Sequence, residues 1–223
     1  MCYNPAMIIS YQGVESFKIQ FGDTIVAYNP VSKDSKFKPT KFGADIVLIS
    51  TNHEDLNGAD QASRGDREAF LINSPGEYEV GGVFVRGFLT HTEYGVRSGE
   101  EKNNTAYAMN LEGMNLCFLG AIRSAEDLQA DAKEALDDID VLFVPISGNG
   151  VLAPDEAYKL AVKLEAKIII PMHYGEDIST TALKQFLKEG GEEGVKPVDK
   201  LTLKKKDLEG KEGEIVVLSA STS

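Results

Sequence analysis

The chain changes its hydrophobic period near the middle, and this change limits the folds it can adopt. In the first half, short β-type runs such as Thr24 to Tyr28 and Phe70 to Ile72 are separated by turn residues. From Ser124 onward, helical stripes alternate with short apolar runs, and two strand-type runs lie near Leu201 to Leu203 and Ile215 to Leu218. This order predicts an α/β fold in which sheets pack together with helices outside.

Apolar runs and helix signals locate a buried strand and three helices. The run from Asp45 to Ser50 is nearly continuous, as in a strand buried on both faces. Ser124 can cap a first helix, whose apolar stripe extends to Leu136. Pro154 suits the first turn of a second helix, and a third ends at Gly190. Three helices are therefore expected after the strand-rich half.

Length and composition indicate one soluble globular domain. The chain has 223 residues, of which 42% are hydrophobic, and it contains no low-complexity linker or internal repeat. We expect a single domain over residues 1–223, with residues 1–6 as a short N-terminal extension that lacks the features of a secretory signal. Two distant cysteines form no disulfide framework, so a reducing cytoplasm is expected.

The charge balance restricts the partners. There are 23 Lys and Arg against 35 Asp and Glu, a formal net charge of −12. Nucleic acids and anionic membranes are bound through positive fields, so neither is an expected partner. No apolar run approaches the roughly 18 residues that a membrane span requires. A small-molecule ligand is compatible with this composition, and the oligomeric state stays open.

The chain has only three histidines, and each follows an apolar strand-type run. His53 comes after the run that ends at Ser50, His91 after Phe88 to Thr90, and His173 after the run that ends at Met172. Loops at the ends of buried strands are where α/β proteins place their sites. Asp55 lies two residues after His53 and can add an oxygen ligand. Three imidazoles and one carboxylate form a plausible set for Zn, Fe or Mn.

Several segments of the chain together match one combination of motifs. Ser50 to Leu56 has the spacing of S-H-x-H-x-D-H, and Gly13 to Phe17 is similar to G-H-x-x-F. Pro75 to Tyr78 matches P-G-E-Y, and Leu119 to Ile122 falls at a G-D-T motif. Further matching segments are Tyr28-Asn29-Pro30, Asp140 to Ile146 and Ile170 to Gly175. Over about residues 7–174 the chain thus resembles the metallo-β-lactamase superfamily, and most closely its small stand-alone branch of ascorbate-6-phosphate lactonase-like hydrolases.

The resemblance implies a four-layer αβ/βα sandwich with a two-metal site at one edge of the sheets. Carried over by position, His53 and His91 would bind the first metal, and Asp55 and His173 the second. The three remaining family ligands have no strong donor here. Thr51 and Leu56 replace two histidines, and Ala121 replaces the bridging aspartate. An intact dinuclear site is therefore not expected, because nothing bridges the two cations.

Two readings remain open for this incomplete site. In the first, His53, His91, His173 and Asp55 converge on one Zn, Mn or Fe ion that activates water for hydrolysis of a small ester, lactone or phosphoester. Asp55 would then be the catalytic residue that orients the water or accepts its proton. In the second, the protein binds no metal and is a non-catalytic binding or scaffold protein on the same fold. Val14 and Asn29 also depart from the family pattern, which removes support around the ligands.

Overall fold

The structure is a computed structural model of the chain, and it describes residues 6–63, 68–97, 99–175 and 177–221. Residues 1–5 of the expected extension therefore lie outside the described residues, and the single-domain organisation stays a prediction. The strands are β1 (Met7–Gly13), β2 (Ser16–Phe21), β3 (Thr24–Tyr28), β4 (Ile46–Leu48), β5 (Phe70–Ile72), β6 (Gly76–Val80), β7 (Val83–Thr92), β8 (Lys102–Leu111), β9 (Met114–Phe118), β10 (Val141–Pro145), β11 (Ile168–Met172), β12 (Leu201–Leu203) and β13 (Glu214–Ile215).

The strands form two mixed sheets. The first has the order β12-β1-β2-β3-β4-β5, and the second has the order β13-β11-β10-β9-β8-β7-β6. Each sheet has an antiparallel half, made of hairpins, and a parallel half. In the first sheet β3, β4 and β5 are parallel, and in the second sheet β9, β10, β11 and β13 are parallel. Loops that follow β3 and β4 of the first sheet and β9 of the second come together at one edge, where Val31, Leu56 and Ala121 pack in one cluster.

The main core lies between the two sheets. Alternate residues of β1 to β4 point inward against alternate residues of β7 to β11, as the period of two requires. Aromatic rings fill the centre: Phe17 contacts Phe143 edge-on at 4.7 Å between centroids, and Phe118 stacks on Phe143 at 4.2 Å. These rings are fully buried. The dense centre holds the sheets in a fixed relative position, which fixes the loops at their common edge.

Helices cover the outer face of the second sheet. They are α1 (Ala130–Ala135), α2 (Pro154–Lys163) and α3 (Ala182–Glu189), and a second core cluster joins them to β10 and β11. The outer face of the first sheet is covered by a smaller cluster that includes the 3₁₀ helix Ala59–Ala62. Among the described residues, no helix is long and apolar enough to cross a membrane.

The predicted first helix is interrupted in the structure. Ser124 does act as a cap, since its hydroxyl accepts from the Glu126 N–H at 3.2 Å, but the turn that follows is only the 3₁₀ helix Ala125–Asp127. Leu128 is extended (φ −76°, ψ 102°) and fully buried, and α1 begins two residues later. Burial of Leu128 against the sheet therefore overrides the helical stripe.

Two strands also differ from the sequence prediction. The edge strand β6 (Gly76–Val80) overlaps the P-G-E-Y match and is not predicted as a strand. His91 lies inside β7, which extends to Thr92, rather than just beyond a strand. The reason is its long antiparallel pairing with β8, where His91 is opposite Asn103. A strand residue has a fixed side of the sheet, so this placement decides where the His91 ring can point.

Candidate active site

His53 lies in the loop after β4, and its ring faces Asp55. The Asp55 N–H donates to His53 Nδ1 at 3.2 Å, and Asp55 Oδ2 lies 3.4 Å from the same nitrogen. Because Nδ1 accepts a hydrogen bond, it is the other ring nitrogen that carries the hydrogen in the neutral form. Burial is the main reason that the pKa of His53 lies below its ordinary value.

Asp55 is buried, and each of its carboxylate oxygens accepts a hydrogen bond from a hydroxyl group. Ser35 donates to Oδ1, and Tyr94 donates to Oδ2 at 2.5 Å. The carboxylate is only 2% exposed, so these two bonds replace the water that it would otherwise bind. Asp55 is thus satisfied by neutral donors of the chain itself.

Tyr94, in the loop after β7, lies between the two imidazoles. Its ring centroid is 4.7 Å from that of His53 and 4.5 Å from that of His173, with an edge-on contact to the latter. Burial, together with the hydrogen bond to Asp55, raises the pKa of the Tyr94 hydroxyl well above its ordinary value. The hydroxyl therefore stays a donor to Asp55, and the phenol fills the space that the side chains share.

His173 directly follows β11 and is fully buried. Its Nδ1 forms a 2.6 Å hydrogen bond with Glu15 Oε1, and Glu15 is also fully buried. With Glu15 as a carboxylate, Nδ1 is the donor and Nε2 of the neutral ring has a free lone pair. Among the described residues, Nε2 is a buried side-chain atom with no hydrogen-bond partner.

A network of polar side chains holds Glu15 in place. Asn29 donates to Glu15 Oε2 at 2.9 Å and to Ser50 Oγ at 2.8 Å, and the Ser50 N–H donates back to Asn29 Oδ1. Val14, Asn29 and His173 have positive φ values of 55°, 41° and 60°. Non-glycine residues adopt this conformation only where surrounding contacts determine it. The loops around Glu15 are therefore held in one geometry.

His91 is not among these side chains. Its Nδ1 lies 3.5 Å from Asp127 Oδ1, and Asp127 is in turn paired with Arg123 at 3.3 Å. The backbone of Arg123 donates to the His91 carbonyl at 3.0 Å. The structure thus brings His53, Asp55 and His173 around Tyr94, while His91 pairs with Asp127 of the 3₁₀ turn.

The residues at the three positions that lack a family ligand make contacts of a different kind. Thr51 donates its hydroxyl to the Asn103 carbonyl at 2.8 Å. Leu56 and Ala121 are fully buried and belong to one small apolar group. We call this group the edge cluster, and its buried members are Val14, Val31, Leu56, Ala121 and Val151, with Phe37, Tyr94 and Ile178 packed against it.

The side chains present do not fit the metal centre that the resemblance implies. Among the residues that the structure describes, no group of three or more His, Cys, Asp or Glu is arranged to hold a metal ion. Asp55 already accepts from two hydroxyl groups, and the Tyr94 ring separates the imidazoles. Metal binding by His53, Asp55, His91 and His173, and a catalytic role for Asp55, stay predictions.

Sequence reasoning recognised part of this constellation. Glu15 stands beside Val14 in the altered G-H-x-x-F segment, but no local pattern links it to a residue 158 positions away. No motif of the resembled family indicates a role for Tyr94 or Ser35 at the site. The one local indication is Tyr94-Gly95 after a histidine-bearing strand, since glycine there lets the chain pass close to a ring.

Comparison with known proteins identifies the family. The sequence model of the Beta-lactamase superfamily domain matches residues 8–173. This chain therefore belongs to the β-lactamase superfamily. The match covers every segment that carries the resemblance except the last two residues of the final motif, and it does not single out the ascorbate-6-phosphate lactonase-like branch.

Curated relatives are similar over most of their length. A UPF0173 metal-dependent hydrolase from Listeria innocua is 28% identical over 196 residues, covering 75% of this chain and 85% of that protein. A UPF0173 metal-dependent hydrolase from Anoxybacillus flavithermus is 26% identical over 199 residues, covering 75% and 86%. The similarity thus extends well beyond a single motif.

Solved structures confirm the fold. A candidate Zn-dependent hydrolase of the metallo-β-lactamase superfamily from Thermotoga maritima superimposes with a TM-score of 0.70 at 26% identity, covering 95% of this chain and 98% of that one. The metallo-β-lactamase fold protein YhfI from Bacillus subtilis gives a TM-score of 0.60 at 12% identity, covering 96% and 98%. The predicted αβ/βα sandwich of the metallo-β-lactamase fold is therefore confirmed.

Proposed function

We propose that this chain is a metal-independent member of the superfamily, a non-catalytic binding protein on the fold of a metal-dependent hydrolase. The observation that carries the proposal is the edge cluster. Leu56 and Ala121, which stand at two family ligand positions, are fully buried in it among valines. Apolar packing at those positions stabilises the loops directly, so they need no cation to hold them together.

The chemistry of the donors supports this proposal. Leucine and alanine have no donor atom for a metal, and a threonine hydroxyl is a poor neutral ligand. The Thr51 hydroxyl is also already bonded to a backbone carbonyl. A dinuclear hydrolase requires a group between two cations about 3.5–4 Å apart, and Ala121 supplies none.

The charge around the site indicates the ligand class. Glu54 and Glu93 are exposed beside Asp55 and Tyr94, and the protein carries a net charge of −12. Of the nearby cations, Lys102 acts on His53, and Arg123 is paired with Asp127 and contacts Glu93 at 3.4 Å. The local potential therefore favours a neutral or cationic small ligand over the anions that a metal-filled site attracts.

Metal content and hydrolysis, measured together, test the proposal. Wild-type protein is incubated with Zn²⁺, Mn²⁺ or Fe²⁺, desalted, and analysed for metal. The same samples are assayed with p-nitrophenyl acetate, γ-butyrolactone and bis(p-nitrophenyl) phosphate, using His173→Ala as the matched control. We expect no retained metal and equal background rates in both proteins. Turnover that a chelator abolishes in the wild type and that His173→Ala lacks would contradict the proposal.

A single-metal hydrolase of a small ester, lactone or phosphoester is the second candidate. The unpartnered Nε2 of His173 favours it, because a buried nitrogen lone pair is an unused ligand atom. The names of the curated relatives support the same activity. The metal analysis above separates the two candidates, since this one requires one equivalent of metal that depends on His173.

A further inference from the structure

The Tyr94 side chain occupies the space between three ligand-type side chains. Its ring contacts both His53 and His173, and its hydroxyl donates to Asp55. Two imidazoles and one carboxylate are a common ligand set for a single divalent cation. The phenol thus fills the space that these three side chains share.

The backbone holds Tyr94 in this position. The Tyr94 N–H donates to Thr92 Oγ1 at 3.0 Å, and the Glu93 N–H donates to the Gly150 carbonyl at 3.0 Å. A Cβ on Gly150 would lie 2.6 Å from the Glu93 carbonyl and the Tyr94 nitrogen, so the two segments are in close contact. Hydrogen bonds and close backbone packing therefore fix the position of Tyr94.

The Tyr94 hydroxyl also stabilises the buried Asp55 carboxylate, as a bound cation would. A buried carboxylate requires a charge or hydrogen-bond donors to stay in the protein. Asp55 has Ser35 on one oxygen and Tyr94 on the other. These two donors stabilise the carboxylate without adding a positive charge, and they occupy the oxygens that a metal would use.

We infer that Tyr94 is an internal replacement for a metal ion, and that it keeps divalent cations from a latent site formed by His53, Asp55 and His173. The inference rests on the proposed function, which requires that the wild-type site takes no metal. It goes further by naming the residue that excludes the metal. Removing the phenol opens space in which His53, Asp55 and His173 can approach one another.

Zinc titration of position-94 variants tests the inference. Tyr94→Ala and Tyr94→Ser remove the ring, Tyr94→Phe removes only the hydroxyl, and Tyr78→Ala is the matched control for loss of an unrelated tyrosine. Zn²⁺ alone is titrated into each folded protein by calorimetry, with folding checked by circular dichroism. Two variants lacking the ring are included so that one folding failure leaves the test intact.

We expect Tyr94→Ala and Tyr94→Ser to bind one Zn²⁺ at least about tenfold (about 1.4 kcal/mol) more tightly than the wild type. This binding should be lost when His173→Ala is added, and neither Tyr94→Phe nor Tyr78→Ala should show it. Folded Tyr94→Ala and Tyr94→Ser proteins that bind Zn²⁺ no better than the wild type would overturn the inference and leave the proposed function intact. His173-dependent Zn²⁺ binding by the wild type would overturn the proposed function.

Discussion

Glu15 is a fully buried carboxylate, and its two oxygens are bonded to different elements. His173 after β11 binds Oε1, and Asn29 after β3 binds Oε2, so one side chain ties the two sheets together at the edge. Glu15→Ala leaves two buried donors, His173 Nδ1–H and the Asn29 amide, without an acceptor. We expect the variant to lower the free energy of unfolding, measured by urea denaturation, by about 1–3 kcal/mol for each donor.

The exposed Glu212 provides the control for this change. Glu212→Ala removes the same carboxylate from the surface, where substitutions usually change stability by less than about 0.5 kcal/mol. Equal effects of Glu15→Ala and Glu212→Ala would show that the Glu15–His173 contact contributes nothing to folding.

Ala121 gives a second test at the residue scale, because it stands where the family has a bridging aspartate. If the edge cluster has replaced the metal centre, Ala121→Asp places a carboxylate among apolar side chains without a partner. We expect a loss of about 3 kcal/mol or more in unfolding free energy, with Ala121→Ser as the smaller polar control. A variant that is as stable as the wild type and is further stabilised by Zn²⁺ would contradict the account.

The individual site residues show what a sequence can reveal. His53, Asp55 and His173 were found because each lies in or near a recognisable motif at the end of a strand. Tyr94 and Glu15 were not, because their roles arise from contacts across 39 and 158 positions of the chain. A missing ligand tells which chemistry has been lost, but the side chain that fills its place is set by tertiary packing.

At the scale of elements, the loop after β7 depends on Gly95. This glycine has φ +67°, and a Cβ there would overlap the His53 ring at Cδ2 and Nε2. Gly99 in the same loop also has a positive φ (+85°), but a Cβ there meets open space. The two positions therefore share the backbone cost of a left-handed residue and differ in steric overlap.

We expect Gly95→Ala to destabilise the protein by at least about 1 kcal/mol more than Gly99→Ala, because only the former displaces a packed ring. Urea denaturation of both variants measures the difference. In addition, the NMR signals of the His53 ring should shift in Gly95→Ala alone. Equal destabilisation with no shift at His53 would contradict the close approach of this loop.

Strands and helices were predicted well where a single hydrophobic period dominates the local sequence. Strands β3, β5 and β12 have the bounds that their β-type runs predict, because each is a short run between turns. The first helix was predicted wrongly because a stripe at helical spacing does not reveal which residue the sheet buries. Leu128 contributes to that stripe, yet its burial requires an extended backbone.

At the scale of the whole molecule, the proposed function requires a fold that does not depend on a bound cation. Core clusters join both sheets and the helices, and the edge cluster joins the loops at the site. Anything that binds only the native state raises stability by mass action, and its removal lowers it. We therefore expect the same Tm with EDTA and with added Zn²⁺ in a scanning calorimeter. A lower Tm in EDTA that excess Zn²⁺ restores would contradict this expectation.

The architecture of the whole chain could be predicted because a change of hydrophobic period is a global signal. The chemistry of its edge could not, since the motif positions retain the family's spacing while the side chains there now pack as a small core. Under the proposed function the net charge of −12 is consistent with this change, because an acidic edge that holds no metal repels the anions that a metal-filled site attracts.

Native mass spectrometry after exposure to zinc tests the central claim most directly. Wild-type protein is incubated with excess Zn²⁺, exchanged into a volatile buffer and weighed beside His173→Ala. The account predicts the mass of the chain alone, 24.2 kDa, for both proteins. A wild-type mass increased by one or two zinc ions, with the increase absent in His173→Ala, would contradict it.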